Sequence, residues 1–235
     1  SSMTLNELLD QLFPGGHSVK TTNKAVVGEA KTSFGPVAVL GTTDAAAVDH
    51  KIALTLSRAV LDVIQKTPGR PIVFLVDTVG QALSRGAELL CLNGSFAHLA
   101  KCVDLARRSG HKTVSLVTSN AVSGGFLSFG LMADRAYALK DVSVRVMDLK
   151  AMSRVTKLDY DRLVELAKGS PTFAPGAENY ERMGGIESIW ADVSESRLAD
   201  AFSAIDNARD LRMEKGSART GRTEAMKTTE AVLAA

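Results

Sequence analysis

The sequence predicts a single α/β domain built on a sheet that is covered on both faces. Three observations predict it. PIVFLVDT (Pro71–Thr78) and KTVSLVT (Lys112–Thr118) are continuous apolar runs of strand length, lacking the alternation of a half-exposed strand. Helical patterns alternate with strand patterns along the chain, with pairs of strands between some helices. The composition is 45% hydrophobic but only 5% aromatic, which suits close packing of helices on a sheet. The 235 residues suffice for one substantial core. No repeat, low-complexity tract or long linker divides them, so 1–235 reads as one domain.

The elements follow in order. Residues 4–13 form a short amphipathic helix that stops at FPGG. Lys24–Thr32 and Gly35–Thr43 are strands. Asp44 is the expected N-cap of a long helix through Gln65, ended by TPGRP. The buried strand Pro71–Thr78 leads into the loop DTVGQALSRG. A long helix over Ala87–Ser109 ends at Gly110, the residue type best able to close a helix. The second buried strand, Lys112–Thr118, enters a small-residue loop and then a short apolar helix in FLSFGLMA. RAYAL (Arg135–Leu139) and VSVRVM (Val142–Met147) are short strands. After 148 the chain turns helical, interrupted by GSPTFAPG (Gly169–Gly176). A charged helical extension occupies 194–235, with a break at EKGSARTGR (Glu214–Arg222) before a last short helix.

The charge balance excludes some classes of partner. With 28 basic and 26 acidic residues the net charge is +2, which gives no electrostatic case for nucleic acid or a membrane surface. No apolar run approaches the ~20 residues that span a bilayer. SSMTLNELLDQL lacks the features of a signal peptide, and Ser1-Ser2 before Met3 reads as a cloning remnant. The expected location is cytoplasmic. Cys91 and Cys102 fall on one helix about 16 Å apart along its axis, too far for a disulfide. His17, His50, His98 and His111 are scattered, so no metal site is expected.

Three common signatures are missing: a phosphate-binding G-x-x-x-x-G-K-[ST] loop, a G-x-G-x-x-G turn, and a G-x-S-x-G nucleophile elbow around Ser123. Two loops draw attention instead. DTVGQ (Asp77–Gln81) and AVSGGF (Ala121–Phe126) each follow a buried strand at its carboxyl end, where α/β proteins bind ligands. Unpaired amides from two such loops can converge on one oxygen, and glycine lets a carbonyl approach them. One such donor is worth ~3–4 kcal/mol of barrier. Spacing alone leaves two readings of Gly124-Gly125, close helix packing and an anion site, and favours packing.

Read together, Val76–Leu139 resembles the carboxyltransferase branch of the crotonase superfamily, with its aspartate–threonine–proline–glycine loop, glycine-pair loop and GADRVYA-like strand. VMDLKAMSRVTKL (Val146–Leu158) and SPTFAPGAENYERMGGIESIW (Ser170–Trp190) resemble the gamma subunit of biotin-independent malonate decarboxylases. The resemblance covers about residues 20–200. It implies a crotonase-like spiral of strand–strand–helix units and an active site shared with a beta subunit in an obligate heteromer. It also implies an acyl-carrier subunit bearing malonyl on a phosphoribosyl-dephospho-CoA arm, a transferase subunit that loads it, and no biotin and no cofactor bound directly. Loss of carbon dioxide would leave an enolate, stabilised by backbone amides.

Residue by residue, the resemblance makes Gly80, Gly124 and Gly125 the oxyanion positions, with Gln81, Val122, Ser123 and Phe126 beside the substrate. Val79 stands where the family's loop has proline, which leaves that loop freer. Arg209, Arg212, Lys215, Arg219, Arg222 and Lys227 leave two readings, contact with the phosphates of the carrier arm and a solvated face, and their interleaving with Asp210, Glu214 and Glu224 favours the solvated face. The alternatives are a subunit of a biotin-dependent acyl-CoA carboxyltransferase, a non-catalytic scaffold for the beta subunit, and a hydrolase using Ser123.

Overall fold

The computed structural model describes residues 3–79, 86–122, 126–145 and 186–218. Its helices are α1 (Leu5–Leu12), α2 (His50–Lys66), α3 (Gly86–Arg108) and α4 (Glu195–Ala218), with a π-helical segment at Phe126–Leu131. The strands are β1 (His17–Thr22), β2 (Ala25–Thr32), β3 (Gly35–Thr42), β4 (Ala46–Ala47), β5 (Ile72–Val79), β6 (Thr113–Val122), β7 (Arg135–Leu139), β8 (Ser143–Arg145) and β9 (Ser188–Trp190).

The main sheet runs β1-β2-β3-β5-β6-β7-β9. Its first three strands form an antiparallel meander and the rest are parallel. β4 pairs with the end of β5, and β8 with the end of β6, so the sheet gains short strands at its carboxyl edge.

The apolar runs make sense in this layering. Along β5, Ile72, Phe74 and Val76 face one cluster with α2, α3 and the π-helical segment. Val73 and Leu75 face the other cluster, with α1 and α4. Side chains alternate across a strand, so burial on both sides demands apolar residues at every step. Each such side chain contributes about 1.5–3 kcal/mol on burial. On the first side Phe74 meets Phe129 at 6.0 Å between ring centroids, and on the second Tyr137 meets Trp190 at 5.2 Å. Leu198, Ala201, Phe202 and Ile205 line the buried face of α4 at helical spacing.

Several expectations are met closely. α1 begins at Thr4, whose hydroxyl accepts the Glu7 amide at 3.2 Å. α3 closes in a Schellman turn: His111 N–H donates to Ala106 O and Gly110 N–H to Arg107 O, with Gly110 at φ +91°. RAYAL is β7.

Others are corrected. The cap of α2 is Asp49, whose Oδ1 accepts the Ile52 amide at 2.8 Å, and not Asp44. Asp44 and Ala45 instead take left-handed conformations (φ 55° and 51°) that turn the chain into β4. β1 was not expected, because HSVKTT carries the polar pattern of an exposed edge strand. β6 extends to Val122, since residues read as loop pair with β8. The expected short apolar helix is π-helical. α4 runs through Gly216 to Ala218, past the start of the expected break. The expected helices and interruption over 148–185, and the last short helix, lie outside the described residues.

Candidate functional site at the carboxyl ends of β5 and β6

β5 and β6 are parallel neighbours, in register from Ile72↔Thr113 to Val76↔Val117. There the register shifts, and the next pair is Thr78↔Ala121. The strands end at Val79 and Val122. Gly80 follows the first directly and Ser123 follows the second, so both loops leave from adjoining strands at one edge of the sheet. Neighbouring strands lie ~4.8 Å apart, close enough for the loops that follow to begin side by side.

Side chains bind the backbone where the register shifts. The Asp77 amide donates to Thr42 Oγ1 at 3.1 Å, and Thr118 Oγ1 donates to Val76 O at 3.3 Å. The Asp77 carboxylate accepts three N–H groups. Oδ2 takes the Ala45 amide at 3.0 Å, and Oδ1 takes the Asn120 amide at 3.2 Å and its Nδ2 at 3.1 Å. Asn120 Nδ2 also lies 3.2 Å from Ser119 Oγ. A cavity of about 360 Å³ opens beside this corner, lined by Thr42, Thr43, Asp77, Ser119, Asn120 and, from α1, Leu8.

Of the residues nominated from sequence, Gly80, Gln81, Ser123, Gly124 and Gly125 lie outside the described residues. Val122 is the last residue of β6, paired with Arg145. Phe126 opens the π-helical segment and is 1% exposed. It belongs to the core on the α2–α3 side, and its ring lies where a Cβ on Gly130 would stand. The Gly130 carbonyl accepts the buried Ser115 hydroxyl at 2.7 Å, which anchors this segment to β6. The C-terminal cations from Arg209 onward lie outside the described side chains.

Asp77, Thr42, Thr118 and Asn120 were not singled out by sequence reasoning. The signal was present: polar residues closing otherwise apolar strands are the informative exceptions in a buried sheet. Elsewhere, burial pushes the Cys102 thiol above its ordinary value, opposed by a hydrogen bond with Ser57, so Cys102 has the character of a structural thiol. Among the described residues no cluster of His, Cys, Asp and Glu is suited to a metal, and no helix is long and apolar enough to cross a membrane.

The sheet order, with parallel strands joined through helices on its faces, defines a crotonase-like α/β domain. Solved structures share it. A Pseudomonas malonate decarboxylase hetero-tetramer in complex with malonate contains a chain that superposes with a TM-score of 0.62 at 23% identity, covering 96% of both chains. An enoyl-CoA hydratase from Bacillus anthracis superposes with a TM-score of 0.56 at 12% identity, covering 92% of this chain and 89% of that one. Residues 43–235 match the malonate decarboxylase gamma-subunit family, MdcE, and the chain belongs to that family. It is also 35% identical over 158 residues to the malonyl-S-ACP:biotin-protein carboxyltransferase MADD of Malonomonas rubra. That match covers 66% of this chain, and the chain spans about half (54%) of that relative's length.

Proposed function

We propose that this chain, with a beta subunit, decarboxylates a malonyl thioester to the acetyl thioester and carbon dioxide. The single observation carrying the reading is the pairing of Thr78 with Ala121, which brings the ends of β5 and β6 together in a member of the gamma-subunit family. The Pseudomonas relatives of the same fold include an MdcD–MdcE hetero-dimer, which supports an obligate heteromer with a beta subunit. The thioester arrives on the phosphoribosyl-dephospho-CoA arm of an acyl-carrier subunit, loaded by a transferase subunit.

The chemistry assigns the loops their work. The bond between the carboxylate carbon and the α-carbon breaks, and its electron pair moves into the enolate, with charge on the thioester oxygen. Carbon dioxide departs, and the α-carbon takes up a proton. Backbone amides at Gly80 and at Gly124-Gly125 stabilise the charge as it develops, which lowers the barrier because the ground-state oxygen carries less of it. Side chains at Gln81, Val122 and Ser123 stand beside the thioester, and the buried Phe126 ring holds the segment that follows the glycine pair.

The test is carbon dioxide release by the purified beta–gamma complex from malonyl thioester with no biotin carrier present. Release is expected; none under these conditions would sink the proposal. Gly125→Val in an assembled complex should cost about 10²–10³ in kcat, the loss of one oxyanion donor. Wild-type turnover in that variant would favour a scaffold role. A second reading, carboxyl transfer to a biotin carrier, is favoured by the likeness to MADD. Turnover that depends wholly on added biotin carrier would select it.

A further inference from the structure

We propose that Asp77 is a positioning residue: its carboxylate, by tying the β3–β4 turn to β6 across β5, sets the spacing of the strand ends on which the site is built. The inference rests on the functional reading above. Three features of the corner carry it. First, Asp77 sits at the shift of register between β5 and β6, between the pairs Val76↔Val117 and Thr78↔Ala121. A single backbone pair, Thr78↔Ala121, therefore holds the two strand ends beyond the break in the ladder.

Second, the carboxylate reaches both sides. Oδ2 accepts Ala45 N–H at 3.0 Å, and Oδ1 accepts the Asn120 amide and side chain at 3.2 and 3.1 Å. An ionised carboxylate only accepts, and its two oxygens can take all three donors. A side-chain amide has one acceptor oxygen and must turn its NH2 toward one of these groups. Third, the Ala45 amide belongs to a turn in which Asp44 and Ala45 both hold left-handed backbone. Two adjacent non-glycine residues in that conformation persist only where surrounding bonds determine them. β4, which follows the turn, pairs with Thr78 and Val79, so the turn's position carries over to the end of β5.

The experiment compares Asp77→Asn, Asn120→Ala and the exchanged pair Asp77→Asn/Asn120→Asp in the beta–gamma complex. In Asp77→Asn, kcat for carbon dioxide release should fall about 100-fold, as for a misplacement near 1 Å, with KM held within about threefold. Asn120→Ala removes the side-chain bond to Asp77 and leaves the main-chain bond, so it should show the same split at smaller size. The exchanged pair places a side-chain amide at position 77, whose oxygen accepts from Ala45, and a carboxylate at position 120, which accepts from that amide's NH2. The main-chain N–H of residue 120, which donates to Asp77 Oδ1 in the wild type, then faces that NH2, so the recovery is partial, about threefold in kcat.

Hydrogen-exchange mass spectrometry should show faster exchange at Thr78–Val79 and Ala121–Val122 in Asp77→Asn, with α2 unchanged. Wild-type kcat in Asp77→Asn, no recovery in the exchanged pair, or unchanged exchange at those amides would overturn the inference. If Asp77→Asn does not assemble, Asn120→Ala decides by the same two measurements. A wild-type complex that releases no carbon dioxide would defeat the functional reading alone, and the exchange experiment would still decide the role of Asp77.

Discussion

Replacing Gly41 with alanine tests the seam between the antiparallel meander and the parallel sheet. Gly41 lies in β3 at φ +147°, paired with Leu75 of β5. A Cβ there would stand 1.9 Å from the Leu75 carbonyl oxygen and 2.8 Å from the Leu75 nitrogen and carbonyl carbon. All three are backbone atoms in the middle of the sheet, so no rotamer change relieves the clash, and β3 must move away from β5. Overpacking of that kind costs ~1–3 kcal/mol or more, and the backbone conformation adds ~1–3 kcal/mol for a residue with a side chain. The sum is about 4 kcal/mol, which for a chain of this size lowers the melting temperature by about 8–16 °C.

Gly94→Ala is the matched control. Gly94 is exposed on α3, and its added Cβ would meet nothing within 4 Å. The same substitution in a helix interior stabilises by ~0.5–1 kcal/mol, an expected rise of about 1–4 °C. Both variants are melted as the beta–gamma complex at one protein concentration, because a partner that binds only the folded chain raises the melting temperature. Gly41→Ala melting within about 2 °C of wild type would refute the argument that β3 and β5 require this close approach.

Two further outcomes follow from other parts of the core. Asp134, with its side chain 8% exposed, accepts Thr113 N–H, Thr113 Oγ1 and Arg107 Nε at 2.9, 3.1 and 3.1 Å. Asp134→Ala leaves those donors in place without it and should cost about 3–5 kcal/mol in denaturant titration, whereas a loss below about 1 kcal/mol would show the pair to be idle. Burial raises the Cys102 pKa in the folded chain, so the stability linked to it is full below the unfolded value near 9.0 and is lost as pH rises through the folded value. In a Cys91→Ser background, iodoacetamide should therefore leave Cys102 unmodified near pH 8 unless the protein is denatured, and rapid labelling of the native protein would contradict its burial.

The architecture was legible where the physics is local. PIVFLVDT and KTVSLVT declared strands buried on both faces because each residue faces a different cluster, as Phe74 and Leu75 do. Gly110 declared the end of α3 because its conformation suits the residue that has no Cβ. What depends on long-range pairing was not legible. Asp44 and Asp49 are equally good caps in isolation, and the two-residue β4, paired to a strand some 30 positions away, moves the helix start to the second. β6 outran its apolar run for the same reason, since its last residues pair with β8. The candidate site was read from sequence as two loops whose glycines lie outside the described residues, and the bonds of Asp77 beside them were not legible, because its partners Ala45 and Asn120 lie 32 and 43 positions away.

The displaced register at the corner has an arithmetic that limits how the strand ends can vary. From Val76 to Thr78 the chain advances two residues on β5, while from Val117 to Ala121 it advances four on β6. The surplus is even. An even surplus lets one strand lengthen against its neighbour while every side chain beyond it keeps its phase, and Val117 and Ala121 both remain in the same buried cluster. Loss or gain of a single residue among Thr118–Asn120 would invert that phase and send Ala121 to the opposite side. Length changes at this edge are thereby confined to pairs of residues, so the spacing of the loops can drift in sequence only in steps that leave the interior unturned.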